Sequence, residues 1–215
     1  MNRHDVSNDG ERVDYVLPEN GSNAIDWGKL DIYQQSHLHR YLYAQSRCEE
    51  GMVVGDFACG SGYGSKMLLE RASSVVGGDI SESAISECKN RYDGVDFRCL
   101  NLLDIDEQSA YDMIVSFETI EHFDPTDIML VVDNFYDALK PDGTLIFSTP
   151  YRQEDSVHSR KWHRTFNIDE GVVGFILGGD RWIIESINYQ NYQNHQVVPS
   201  LAHRDFIICT ARKRA

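Results

Sequence analysis

The sequence lacks any long hydrophobic run. Its most extended apolar stretch, near residues 172–177, is far shorter than the roughly 20 residues that a bilayer-spanning helix needs. The first residues also lack the apolar region of a signal peptide. We therefore expect a cytoplasmic protein with no membrane partner. The five cysteines are scattered and form no C-x-x-C pair, which indicates reduced thiols rather than a zinc or redox site.

Positive charge is also scarce. The chain of 215 residues has 34 acidic and 20 basic residues, a formal net charge of −14. A field of this sign repels a phosphate backbone, so nucleic acid is an unlikely partner on electrostatic grounds. The apolar fraction of 41% is sufficient for one domain with a well-formed core.

From about residue 51 onward, short apolar runs alternate with segments of helical periodicity. This rhythm predicts an α/β fold, a doubly wound and mostly parallel sheet covered by helices. The last two of the seven candidate strands are expected to form an antiparallel edge pair. The candidate strands are 52–57, 74–79, 95–99, 113–117, 144–148, 182–189 and 204–211.

Three helices carry recognisable signals. Asp124 followed by Pro125 predicts an N-cap and first helical residue, and the apolar stripe behind them continues to a turn at 140–143. Asn167 and Glu170 resemble a capping box that opens a helix to about residue 177. A helix over 32–47 is expected to place Tyr33, His37, Tyr41 and Ala44 on one face. We interpret residues 1–50 as an N-terminal helical lid in the same domain as the core, 51–215.

The most informative segment is a glycine-rich turn at residues 58–64 that follows the first strand and opens a helix. Such a turn lets backbone N–H groups approach a ligand closely. Asp79 ends the next strand 19 residues after Gly60, where a carboxylate can accept both ribose hydroxyls of an adenosine. The third glycine, Gly64, comes one place earlier than in the G-x-G-x-x-G pattern of dinucleotide sites, so NAD is the weaker interpretation.

This segment resembles the first motif of class I methyltransferases, D-x-G-C-G-x-G, with Ala58 in place of one glycine. The resemblance runs from about Gly10 to Ala211 and includes 116–122 and 139–144. It implies a Rossmann-like methyltransferase fold and S-adenosyl-L-methionine as the cofactor. The implied cofactor-binding residues are Arg40, Asp56, Ala58, Cys59, Gly60, Gly62, Asp79, Ile80, Asn101, Leu102 and Phe117.

Within that set the resemblance implies specific roles. The loop holds the methionine part, Asp79 the ribose, and Asn101 the adenine amino group, with Leu102 supplying a neighbouring backbone contact. Arg40 matches an arginine that pairs with the cofactor carboxylate in ubiquinone-biosynthesis O-methyltransferases. Two alternatives stay open: Asn101 satisfying its own turn, and Arg40 as a solvated helix residue.

Catalysis is predicted just after the fourth strand. A hydroxyl acceptor must lose a proton, and His122 is placed to act as the general base. Glu118, Glu121 and His122 are spaced so that one helical turn would bring them to one side. The segment resembles the E-x-x-E-H element of ubiquinone-pathway and small-RNA 2′-O-methyltransferases, which implies Mg²⁺ or Mn²⁺ with His163 or His158 as a further ligand. Alternatively, Glu121 caps the turn and His122 lines a metal-free pocket.

The acceptor is predicted from a weaker resemblance. The segments Gly10-Glu11-Arg12, Leu17-Pro18 and 37–44 resemble methyltransferases associated with glycan synthesis, which implies O-methylation of a sugar or glycan hydroxyl. The basic run 151–166 is a candidate contact for an anionic acceptor. Alternatives are metal-dependent RNA 2′-O-methylation and a non-catalytic cofactor-binding scaffold. The oligomeric state stays open, with a homodimer among the possibilities. Candidate sugar-packing rings are Tyr33, Tyr41, Tyr151, Trp162 and Phe166.

Overall fold

The computed structural model describes residues 12–214, so Gly10 and Glu11 lie outside the described residues. It contains one seven-stranded sheet with the strand order β3-β2-β1-β4-β5-β7-β6. Strands β1 to β5 are parallel, and β7 lies antiparallel between β5 and β6. The predicted mostly parallel sheet with an antiparallel edge pair is confirmed. The strands are β1 Val53–Phe57, β2 Ser74–Asp79, β3 Asp96–Cys99, β4 Tyr111–Phe117, β5 Leu139–Pro150, β6 Trp182–Gln190 and β7 Phe206–Lys213.

Helices cover both faces of the sheet. Successive side chains of a strand point to opposite faces, so Met113 and Val115 belong to one buried cluster while Ile114 belongs to the other. The first cluster packs under α1 Ile32–Gln45, α2 Tyr63–Leu69 and α3 Glu82–Arg91. The second packs under α4 Pro125–Ala138 and α5 Glu170–Ile176. The doubly wound architecture is therefore confirmed.

Helix α4 follows the sequence prediction closely. Asp124 is its N-cap and Pro125 its first residue, where the missing N–H of proline has no helical partner to lose. The predicted apolar stripe is buried against the sheet. Its members are Ile128, Val131, Val132, Phe135, Ala138 and Leu139.

Two local predictions need correction. Strand β5 begins at Leu139, which pairs with Tyr111, and not at 144; the predicted turn residues 140–143 lie within β5 as an irregularity between the Leu139 and Thr144 pairings, with a left-handed φ of 61° at Asp142. Helix α5 begins at Asp169, whose carboxylate accepts from two backbone N–H groups of the first turn, and not at a capping box. Asn167 has a left-handed φ of 56° and lies before that cap.

Helix α1 ends at Gln45, two residues before the predicted end, and Asp31 and Gln34 form a capping box at its start. Its buried face differs from the predicted one, because Tyr33 is exposed and His37 is only half-buried. The residues that α1 buries are Ser36, Leu38, Arg40, Tyr41 and Ala44.

Two further observations concern the whole described range. Among residues 12–214, no helix combines the length and the apolar character needed to cross a bilayer. All five cysteines are free thiols, as predicted.

Candidate active site

The glycine-rich turn leaves β1 through three residues with left-handed backbone. Ala58, Gly60 and Gly62 have φ values of 63°, 55° and 76°. Glycine adopts this region without strain, whereas alanine does not, so Ala58 is a strained position of the kind that concentrates at functional sites. Gly62 is the N-cap of α2, and the turn lies at the carboxyl ends of the strands, where ligands bind in sheets of this type.

Asp79 lies in direct contact with this turn. Its Oδ2 accepts a hydrogen bond from Gly60 N at 2.9 Å, and its Oδ1 accepts one from Ser81 N at 2.9 Å. The Cys59 N–H also donates to Gly78 O at 3.0 Å, which ties the turn to the end of β2. The loop and the acid that the sequence pairs therefore form one site, half-buried at Asp79.

Asp56, the last acid before the turn, is buried beneath it. Its carboxylate accepts hydrogen bonds from Tyr41 Oη at 3.1 Å and from Ser65 Oγ at 2.6 Å. Burial raises the pKa of Asp56 to about 7, and these two hydrogen bonds only partly oppose that rise. The ring of Tyr41 also packs edge-on against Tyr63 and Phe117, which joins α1 to the turn and to the end of β4.

The packing of Tyr41 explains why the third glycine of the motif, Gly64, has no side chain. A Cβ at this position would lie 1.9 Å from Cζ of Tyr41, closer than any real contact. The absence of a side chain is therefore what allows the Tyr41 ring to reach Asp56.

Arg40 enters the same region from α1. Its side chain is 1% exposed, and its Nη1 donates to Gln190 Oε1 at 2.6 Å. Its Cζ lies 4.5 Å from the ring centroid of Phe206. The buried Nε has no hydrogen-bond partner among the described residues. The alternative of a solvated helix arginine is wrong, because the side chain is buried, and its unpartnered Nε is a donor that a ligand could satisfy.

The predicted adenine side of the site is partly open. Ile80, directly after Asp79, is 59% exposed, whereas Leu102 and Phe117 are buried. Asn101 caps its own short 3₁₀ turn: its Oδ1 accepts from Leu103 N at 3.1 Å, and its Nδ2 donates to Asp104 Oδ2 at 2.9 Å. The turn-capping alternative for Asn101 is therefore observed, and its adenine contact stays a prediction.

The end of β4 gathers three of the predicted catalytic and metal-binding residues. Ligand atoms of Glu121, His122 and His163 all lie within 4.8 Å of one another. Glu121 and His163 are buried and His122 is half-buried. The two imidazole rings meet edge-on, with centroids 5.0 Å apart. The sequence spacing alone placed Glu121 beside His122, and the fold adds His163 from 41 residues downstream.

Backbone contacts hold this cluster together. Arg164 N and Thr165 N both donate to Glu121 O, at 2.7 and 3.1 Å, and fix the His163 loop against the turn. His122 Nδ1 lies 3.0 Å from Trp162 O, and His163 Nδ1 contacts Gln153 Oε1. A carbonyl oxygen only accepts, so Nδ1 carries the proton in each neutral ring and Nε2 carries the lone pair.

Glu118 does not share the turn with its predicted neighbours. The 3₁₀ turn covers only Ile120–His122, and Glu118 precedes it with a left-handed φ of 52°. Ser148 Oγ on the adjacent strand donates to Glu118 Oε1 at 2.6 Å. The prediction of one helical turn carrying all three residues is wrong, because the backbone at Glu118 is left-handed and the turn begins only at Ile120. Its role as a metal ligand stays a prediction.

The basic run largely neutralises itself. Arg152 pairs with Asp169 at 3.0 Å, and Arg160 pairs with Asp155 through two nitrogens. His158, the alternative fourth ligand, is exposed at the start of a short turn and lies outside the cluster. The proposed contact of this run with an anionic acceptor therefore has less free charge than the sequence indicates.

The candidate sugar-packing rings separate into two groups. Tyr41 is buried under the cofactor turn, and Tyr151 Oη donates to Glu170, so both serve the interior. Trp162 and Tyr33 are 36% and 54% exposed. Trp162 lies next to His122, and Tyr33 packs edge-on against Tyr192.

Sequence reasoning missed three residues of the site. Gln190 holds Arg40, Gln153 contacts His163, and Tyr192 lies close enough to Glu118 and Arg40 for both charges to affect it. Burial, and then the charge of Glu118, raise the pKa of Tyr192. No local signal marks these residues, because each reaches the site through contacts distant in sequence.

Comparison with known proteins identifies related chains. Residues 54–143 match the family described as "Methyltransferase domain". A "Probable S-adenosylmethionine-dependent methyltransferase" of Mycolicibacterium smegmatis is 32% identical over 140 residues, 64% of this chain and 53% of the relative. A ubiquinone biosynthesis O-methyltransferase of Bradyrhizobium diazoefficiens is 30% identical over 106 residues, 47% of this chain and 41% of the relative. The chain thus spans about half the length of the curated relatives it matches, or less.

A solved structure supports the fold. The N-methyltransferase NodS of Bradyrhizobium japonicum superimposes with a TM-score of 0.64 at 17% identity, covering 86% of this chain and 97% of NodS. At this identity the likeness concerns the fold alone.

Proposed function

We propose that this chain carries a class I S-adenosylmethionine-dependent methyltransferase domain. From this premise, it transfers the cofactor's methyl group to a hydroxyl of a small polar acceptor, a sugar or glycan. The observation that carries the proposal is the hydrogen bond between Gly60 N and Asp79 Oδ2. It holds the glycine-rich turn and the ribose-binding acid together at the carboxyl edge of the sheet, where ligands of such folds bind.

The surrounding residues fit the parts of this cofactor. Asp79 can accept the ribose hydroxyls, and the exposed side chain of Ile80 offers an apolar surface to the adenine. Arg40 has a buried Nε that lacks a protein partner, which suits the carboxylate of the methionine part. Asp56 is a buried acid beneath the turn, on the side where the cofactor's positive charges would lie.

We assign His122 the role of the base that removes the proton of the acceptor hydroxyl. The sulfonium methyl is already electrophilic, so the protein must align the hydroxyl, exclude water and remove a proton. The contact of His122 Nδ1 with Trp162 O leaves the lone pair on Nε2, the atom that takes the proton. Glu121 is buried within the same cluster and would stabilise the imidazolium that forms.

The grouping of Glu121, His122 and His163 favours a metal-dependent form of the same function. One carboxylate and two imidazoles fit a divalent transition metal such as Mn²⁺ better than Mg²⁺, which prefers oxygen ligands throughout. Both rings direct Nδ1 to a carbonyl oxygen, the arrangement that orients metal-binding histidines. A metal bound there supplies Lewis acidity to the acceptor hydroxyl.

The acceptor class rests on the exposed rings beside the cluster. Trp162, whose backbone carbonyl contacts His122, has a partly exposed ring with the Lys161 ammonium 5.4 Å from its centroid, and such rings pack against the apolar side of a sugar. The ion pairs of Arg152 with Asp169 and of Arg160 with Asp155, together with the net charge of −14, disfavour an RNA acceptor.

The test is calorimetric binding of S-adenosylmethionine and S-adenosylhomocysteine, followed by a labelled-methyl screen over sugars, nucleotide-linked sugars, phenols and RNA. We expect binding of both nucleosides and transfer to a sugar hydroxyl. His122→Ala should lower turnover by about 10²-fold or more, the usual contribution of a general base. His203→Ala, at an exposed histidine, should retain turnover. No binding of either nucleoside would end the proposal, and normal turnover of His122→Ala would remove its catalytic assignment.

A further inference from the structure

Gln190 is a buried glutamine at the end of β6 with every polar atom of its side chain engaged. Its Nε2 donates to Ser36 O on α1 at 2.8 Å and to His195 O on the loop that follows β6. An amide nitrogen only donates, so these two carbonyls fix the orientation of the amide. Its Oε1 therefore faces Arg40, whose Nη1 donates to it at 2.6 Å.

The guanidinium of Arg40 is held from two sides by the antiparallel strand pair. Gln190 and Phe206 are direct partners in the register of β6 and β7. Gln190 receives one nitrogen of Arg40, and the ring of Phe206 lies under the guanidinium plane at 4.5 Å. These contacts leave the Nε of Arg40 buried and without a hydrogen-bond partner among the described residues. A planar guanidinium fixed in this way presents its remaining donors in one direction.

The position of Arg40 relative to the cofactor turn follows from its neighbours. The next residue, Tyr41, bonds Asp56 beneath the turn, and its ring packs edge-on against Tyr63, the first residue of α2, with centroids 5.5 Å apart. Arg40 therefore lies beside the end of the turn where the methionine part of the cofactor is expected.

We propose that Gln190 is a positioning residue for the cofactor, because it orients the Arg40 guanidinium to receive the methionine carboxylate. The inference rests on the proposed function. Without Gln190, Arg40 would keep its charge but lose its fixed direction, and binding of the carboxylate would have to restrain a side chain with several free rotations.

Decarboxylated S-adenosylmethionine separates this role from a structural one, because it keeps the adenosine, the sulfonium and the amine and lacks only the carboxylate. The measurement is calorimetric binding of both nucleosides to the full chain and to Gln190→Met. We expect Gln190→Met to weaken the binding of S-adenosylmethionine by about tenfold or more, which is the usual effect of losing a hydrogen bond to a charged group. Binding of the decarboxylated nucleoside should stay within about threefold of the unsubstituted chain.

Two further variants sharpen the measurement. Gln190→Leu also removes the oxygen that faces Arg40 without adding a charge, so it should likewise weaken the binding of S-adenosylmethionine selectively; it serves if Gln190→Met does not fold. Gln193→Met, at an exposed glutamine three residues later, is the matched control and should bind both nucleosides normally. Circular dichroism and thermal unfolding establish that each variant is folded.

A double-mutant cycle completes the test. In an Arg40→Met background, Gln190→Met should cause no further loss, because Gln190 acts through Arg40. If Gln190→Met weakens the binding of both nucleosides equally, the role of Gln190 is structural and the inference is overturned. If the unsubstituted chain binds both nucleosides equally well, the inference about Gln190 is also overturned, while the methyltransferase proposal stands. A chain that binds neither nucleoside would instead refute the proposed function.

Discussion

Replacing Asp56 by asparagine should remove a pH dependence that this carboxyl group gives to the free energy of unfolding. Asp56 is 1% exposed, and burial raises its pKa from the ordinary value of 3.8 to about 7. Desolvation is the largest cause, and the hydrogen bonds from Ser65 and Tyr41 oppose it. In the folded protein the protonated form is therefore favoured over a pH range in which the unfolded chain is ionised.

The sign and size follow from proton linkage. Because the pKa in the folded state is raised, the contribution of Asp56 to stability is fully present below pH 3.8 and is lost as the pH rises through about 7. Between pH 5 and pH 8 the loss amounts to about 2 to 3 kcal/mol, at 1.36 kcal/mol for each pH unit in which only the unfolded state is ionised.

Urea unfolding of the unsubstituted chain and of Asp56→Asn at pH 5, 6, 7 and 8 measures this pH-dependent contribution of Asp56 to stability. Groups common to both proteins cancel, so the variant's stability minus that of the unsubstituted chain should rise by about 2 to 3 kcal/mol across the series. Asp180→Asn, at an exposed position, controls for the change of charge alone. A difference that stays constant within about 0.5 kcal/mol would refute a raised pKa at Asp56.

Two other substitution and ligand-removal experiments address neighbouring parts of the site. Gly64→Ala should lower the free energy of unfolding by about 1 to 3 kcal/mol, because its Cβ collides with the Tyr41 ring. Gly174→Ala in α5, where a Cβ meets open space, should leave stability unchanged or raise it, and equal effects at both glycines would contradict the packing argument. Exhaustive EDTA treatment should abolish methyl transfer that added Mn²⁺ restores, with His163→Ala failing to bind Mn²⁺. Full activity after chelation, with no metal by elemental analysis, would leave His122 as a metal-free base.

The sheet could be predicted because its strands are apolar on both faces and mostly lie between turn-forming residues. Prediction failed where a local signal competed with tertiary pairing. The strand is predicted to begin at 144, after the turn residues 140–143, yet Leu139 already pairs with Tyr111 and those residues interrupt the register inside β5. Asn167 and Glu170 have the spacing of a capping box, but Asp169 is two residues nearer to the helix than Asn167, and its carboxylate caps the helix instead.

The cofactor side of the site could be predicted because its residues follow one another along the chain in a fixed order: strand, glycine turn, helix, strand and acid. Glu118 shows the limit of spacing alone. Its interval to Glu121 suits a helix, but the backbone at Glu118 is left-handed and its carboxylate faces Ser148. Gln190 carries no local signal, since its partner Arg40 is 150 residues away and the contact exists only because β6 lies at the sheet edge under α1.

The difference between site residues that follow one another in the sequence and residues that only the fold brings together also applies to the acceptor side of the site. The family match ends at residue 143, before the loop that carries Trp162 and His163 and before the loop that carries Tyr192. The matched residues therefore include the glycine-rich turn and Asp79 but neither of these two loops. In the proposed function the acceptor contacts the two later loops, where Arg152 and Arg160 are paired with acids and the uncharged Trp162 ring is partly exposed. The proposed sugar acceptor would therefore be recognised by ring packing and hydrogen bonding more than by charge.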